Sequence, residues 1–93
     1  MKTIVLKSEI GGSFSNADGY TLFCILKPYF LENETVCISM LGFDVMSSSF
    51  FNSSFGELIQ EFGIESFRAT LKFTSITNTQ AKLIRKYLEF HLH

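Results

Sequence analysis

Apolar positions along this chain alternate between two spacings. Residues 2–7, "KTIVLK", form a short β-branched run with charged ends, which predicts a strand. Gly11-Gly12 interrupts the chain. Across residues 17–31, Leu22, Phe23, Leu26 and Phe30 recur at helical spacing. Ser15 or Asn16 can cap that helix by accepting a bond from a free backbone N–H. Pro28 removes the donor that would reach the Cys24 carbonyl, so a kink or a distorted last turn is expected there. Residues 35–40, "TVCISM", read as a second strand, uncharged and expected to be buried on both faces.

The strongest periodicity follows. Phe51, Phe55, Leu58, Ile59 and Phe62 make one apolar stripe, and Gly63 is expected to stop the helix by taking the left-handed conformation that other residues avoid. Residues 69–74, "ATLKFT", predict a third strand with Leu71 and Phe73 on one face. "TNTQ" reads as a capping box, with Thr77 as the cap and Gln80 reaching back to its N–H. The last helix, to about residue 91, turns Leu83, Ile84, Tyr87 and Leu88 inward and Lys82, Arg85, Lys86 and Glu89 to water.

The order is therefore β-α-β-α-β-α. It predicts an α/β fold, a small mostly parallel sheet with helices packed on it, in a single domain over residues 1–93. Functional residues of such sheets gather in the loops after the strand C-termini. Residues 41–50 are one of those loops, and they carry the run Ser47, Ser48, Ser49.

Composition sharpens this picture in two places. Hydrophobic residues are 46% of the chain, with 11 phenylalanines, so a core is assured and surplus apolar surface or a homodimer is expected. Net charge is −1, which lacks the basic footprint of a nucleic-acid binder. Cys24 and Cys37 lie in apolar stretches without a C-x-x-C pair, so they read as reduced, buried, inert thiols of a cytoplasmic protein. The apolar run Ile4–Leu6 is shorter than the roughly 7–15 residues of a secretion signal, and no stretch reaches the roughly 18 of a membrane span.

One serine, Ser48 or Ser49, suffices to cap the helix beginning near residue 50. The surplus hydroxyls sit where a helix terminus favours an anion, so a phosphate site is the functional alternative to capping.

The stretch "VCISMLGFDVMSSSFFNSSFGELIQEFG" resembles the STAS pattern of strand, turn, small-residue cluster and helix. It is most similar to small bacterial STAS-like domains of unassigned function, through Ser48-Ser49-Phe50, Gly56 and Leu58, and in character through "GIESFRATLKFTSIT". The likeness covers roughly residues 34–90. STAS domains include anti-sigma-factor antagonists, whose turn reads Asp-Ser-Ser/Thr-Gly with the first serine phosphorylated. On this chain that serine falls at Ser48, with Ser49 the neighbouring candidate; Ser47 takes the place of the acid and Phe50 that of the glycine. The STAS-like family often has an acidic pair just after its phenylalanine, where this chain has Asn52-Ser53.

The resemblance implies a non-enzymatic regulatory module that switches partners, docking on a GHKL-type ATPase/kinase or a sigma regulator. Phe43, Ser47, Ser48, Ser49, Phe50, Asn52 and Ser53 would form its partner-binding surface. Two other classes remain open: a small dimeric inhibitor or phage-type accessory protein using exposed phenylalanines, and a small-ligand or nucleotide-binding domain. "GGSFSNADG" fits no phosphate-loop pattern, and G-x-S-x-G is absent. His91 and His93, two apart, share no helix face; no metal ligand set, cofactor, catalytic residue, membrane or nucleic-acid partner is expected.

Overall fold

Three short strands pair in parallel in the order β1-β2-β3: β1 (Lys2–Val5), β2 (Val36–Ser39) and β3 (Leu71–Thr74). The computed structural model describes residues 1–12 and 14–91, with side chains as far as residue 89. The side chains of His91 and His93 lie outside the described residues. Register sets Ile4, Ile38 and Phe73 side by side, and Val36 beside Leu71. This face joins the buried residues of every helical layer in one core with Leu6, Leu22, Leu26, Phe30, Phe50, Phe55, Phe67 and Ile84. The opposite face looks outward: Thr3, Val5, Lys72 and Thr74 are exposed, and Cys37 is half-buried. The expectation that β2 is covered on both sides therefore holds for Val36, Ile38 and Ser39 but not for Cys37.

Helices fill the connections. A single turn, α1 (Leu6–Glu9), follows β1 directly, shortening the strand expected over 2–7, because Leu6 turns into the core. Helix α2 (Asn16–Leu31) is capped by Ser15, whose side chain accepts the Asp18 N–H at 3.0 Å. It runs through Pro28 to Leu31, and the distortion falls at its exit, where Asn33 takes φ 55°. Asn tolerates that left-handed conformation because its short polar side chain can bond locally.

The stripe from Phe51 to Phe62 lies on one continuous helical rod with an irregular middle. It comprises α3 (Ser48–Phe51), a π-helical turn (Asn52–Gly56) and α4 (Glu57–Phe62). Phe51, Phe55, Leu58 and Ile59 are buried as the spacing predicts, with Phe62 half-buried. Gly63, at φ 92°, ends α4 and starts α5 (Ile64–Thr70), a conformation costly for any residue with a Cβ. This helix replaces the first part of the strand expected over 69–74: Phe67 and Thr70 turn inward, and β3 begins only at Leu71. The capping box is formed as read. The Gln80 N–H donates to Thr77 Oγ1 at 3.1 Å, the Thr77 N–H donates to Gln80 Oε1 at 2.9 Å, and α6 (Asn78–His91) follows.

Candidate functional site

The loop after β2 is held rigidly. The Met40 N–H donates to the Thr74 carbonyl at 2.9 Å, extending the ladder by one bond. The Phe43 N–H returns to the Met40 carbonyl at 3.0 Å, closing a tight turn. Two side chains of α6 then fix the loop from above. Gln80 is almost wholly buried and donates its Nε2–H to the Phe43 carbonyl at 2.6 Å, while the Tyr87 hydroxyl donates to the Met46 carbonyl at 3.3 Å. A buried carbonyl without a donor would cost about 1–3 kcal/mol, so these bonds set the path of the backbone into the serine run.

The serines of this region divide by role. Ser47, not Ser48 or Ser49, is the cap: its Oγ accepts the Phe50 N–H at 3.1 Å and donates to the Phe14 carbonyl at 2.7 Å. Any of the three could cap by local geometry alone, and the reach to Phe14 selects Ser47. Ser53 donates to Asn16 Oδ1 at 2.8 Å, tying the π turn to the start of α2. Ser54 is fully buried, and its hydroxyl is satisfied by donating back to the Phe50 carbonyl at 2.7 Å. Ser48 and Ser49 remain exposed, with no hydrogen bond from either hydroxyl among the described residues.

The expected aromatic anchors are placed differently. Phe50 is fully buried and Phe43 is 9% exposed, their rings 5.8 Å apart, so both belong to the core and offer no surface to a partner. Burial follows from the capped start of α3, which turns Phe50 inward against Phe43 while Ser48 and Ser49 stay exposed. Exposed apolar residues near the serines are instead Phe14, 65% exposed and joined to Ser47 through its carbonyl, and Val45 in the loop.

Three grooves open around this centre. One, of about 330 Å³, lies between α3 and α6 and is lined by Ser48, Asn52, Lys86 and Tyr87. A second, of about 450 Å³, runs between α2 and the π turn along Asn16, Tyr20, Phe23, Ser53 and Glu57. Beside it Tyr20 is held above its ordinary pKa, first by its hydrogen bond to Cys24, then by the charge that thiol can carry and by desolvation, with Lys27 opposing. Cys24 is exposed and Cys37 half-buried, which corrects the expectation of buried thiols: Cys24 sits on the solvent side of α2. The third groove, about 260 Å³, lies by Lys7, Gly11, Gly12 and Asp44 and falls below the roughly 300–1,000 Å³ usual for small-molecule sites. Among the described residues no cluster of three or more His, Cys, Asp or Glu could hold a metal ion, and no helix is long and apolar enough to cross a membrane.

A parallel α/β layer with a capped helix presenting serines at the sheet's C-terminal edge is the arrangement that the sequence resemblance implies. Residues 22–81 match the family described as "STAS-like domain of unknown function (DUF4325)", and the chain belongs to that family. No curated protein and no solved structure matches it. The matched span takes in α2 from Leu22 onward, β2, the loop, the serine run, the helical rod, α5, β3 and the capping box.

Proposed function

We propose that this domain is a regulatory protein-interaction module whose binding state is set by phosphorylation of Ser48. The observation that carries the reading is the division of labour among the serines: Ser47 takes the cap, and Ser48 is left with a free, exposed hydroxyl in the first helical turn. In the transfer, Ser48 Oγ forms a bond to the γ-phosphorus of a nucleoside triphosphate held by a partner kinase. The bond to the nucleoside diphosphate breaks, and the hydroxyl proton passes to the kinase or to solvent. The product carries about two negative charges in place of a neutral hydroxyl.

The docking face comprises Phe14, Val45, Ser48, Ser49 and Asn52. Phe14 supplies apolar contact area, and the Ser48 hydroxyl supplies the point at which a phosphate makes the face repulsive to an acidic or apolar partner. A GHKL-type ATPase/kinase or a sigma regulator suits this role through the STAS likeness. Intact mass of the protein from its native cells, with and without phosphatase, should show a phosphate that maps to Ser48. Ser48→Asp should weaken recovery of the partner, whereas Ser47→Ala should act through stability. Equal recovery by Ser48→Asp and wild type would remove the switch.

A further inference from the structure

The groove between α3 and α6 sets a hydroxyl against a cation. Ser48 and Asn52 form one wall; Lys86 and Tyr87, from α6, form the other. Lys86 is exposed and makes no ion pair among the described residues, where Lys27 and Glu61 form the ion pair that is present. Its neighbour Tyr87 is fixed by two contacts, a ring-to-ring distance of 4.9 Å to Phe51 and the hydroxyl bond to the Met46 carbonyl. Those contacts fix the turn of α6 that carries Lys86 beside the groove that Ser48 also lines. The groove, about 330 Å³, has room for a phosphate with several waters, each of which takes about 30 Å³. Ser49 does not line it. A lysine ammonium binds phosphate well as a point charge.

We propose that a phosphate on Ser48 is received inside the same chain by Lys86, fastening α6 to the start of the helical rod. The inference rests on the reading of Ser48 as the modified residue, but it concerns what the phosphate touches, not who adds it. It also explains why Ser48 and not Ser49 would carry the signal: both residues are exposed, and Ser48 lines the groove with Lys86 whereas Ser49 does not. The fastened helix is the one whose Gln80 and Tyr87 hold the loop, so the modification would be felt along residues 43–46 as well as at its own position.

Phosphoserine placed at residue 48 of the full chain, and separately at residue 49, tests this by ³¹P NMR titration. The titratable groups facing the groove are Lys86 and Tyr87. The second phosphate pKa, ordinarily about 6, should fall by about half a unit at position 48, the order of effect that one exposed ammonium has in a watery setting. Lys86→Gln should restore it, Lys86→Arg should keep it low, and Lys86→Gln should leave the position-49 titration unmoved. Amide exchange of residues 82–89 should slow on phosphorylation at 48 in the wild type alone. Superimposable position-48 titrations with and without Lys86 would overturn the proposal. A flat titration alongside an intact partner switch removes only the role of Lys86. A chain whose partner ignores Ser48→Asp removes the switch and leaves the titration result standing.

Discussion

A Cβ placed on Gly19 would lie 2.6 Å from the Phe50 carbonyl oxygen and 2.8 Å from Ser53 Cβ. Helix α2 and the rod that begins at Ser48 thus meet backbone against side chain and backbone, with no room for a methyl group. Because the nearest atom is a main-chain oxygen, relief requires the helices to part. Gly19→Ala should destabilise the fold by about 1–3 kcal/mol despite its better helix propensity. Urea denaturation measures this, and a gain in stability would show that the helices separate freely.

Ser47 and its two followers should respond differently to the same change. Ser47→Ala deletes a cap and leaves the Phe14 carbonyl without its donor, and should cost about 1–2 kcal/mol. Ser48→Ala and Ser49→Ala should stay within about 0.5 kcal/mol of wild type. Thermal melts of the three variants provide the comparison. Equal losses would mean that capping is shared.

Gln80 acts in two directions at once, as acceptor for Thr77 and donor to Phe43. Gln80→Leu should cost about 1–3 kcal/mol for each group left unbonded. Gln80→Glu keeps the acceptor but turns a carboxylate toward a carbonyl oxygen in a buried place. Both effects raise its folded pKa above the unfolded value of about 4.3. The stabilising, protonated form is then fully present below that unfolded pKa and is lost as pH rises through the folded one. Relative to wild type, Gln80→Glu should lose stability between about pH 4 and pH 7, read from urea midpoints. A constant difference across that range would count against the buried donor.

Phe55 connects three elements. It is fully buried, with ring centroids 5.7 Å from Phe51, 5.9 Å from Phe67 and 5.5 Å from Phe73, the last two edge to face. Phe55→Ala should cost about 3–5 kcal/mol. A loss below about 1 kcal/mol would show that the stripe is packed less tightly than these distances imply.

Much of this architecture is legible in local residue patterns, because the forces that set it are local. Thr77 and Gln80 satisfy each other across one turn, Ser15 caps its own helix, and the Phe51-to-Ile59 stripe needs only helical spacing to declare its face. Helix α5 escapes such reading: Ile64 and Phe67 have the spacing, but the segment is a bare seven residues between Gly63 and a strand, and "ATL" suits a strand equally well. The site is harder still. The choice of Ser47 as cap depends on Phe14, the burial of Phe43 and Phe50 on their mutual contact, and the meeting of Ser48 with Lys86 on the docking of the last helix. None of these leaves a trace in the spacing of nearby residues.

The π turn at Asn52–Gly56 amounts to a helix carrying one residue more than its hydrogen bonding needs. Each helical residue advances the chain by about 100° around the axis. Excising one residue there would let the rod close into ordinary α geometry while Leu58 and Ile59 stayed seated, and would swing Ser48 about a quarter turn away from the groove it shares with Lys86. The surplus residue works as an angular spacer: it sets the direction of the whole turn Ser48–Phe51, hydroxyl and buried rings together, against Leu58 and Ile59.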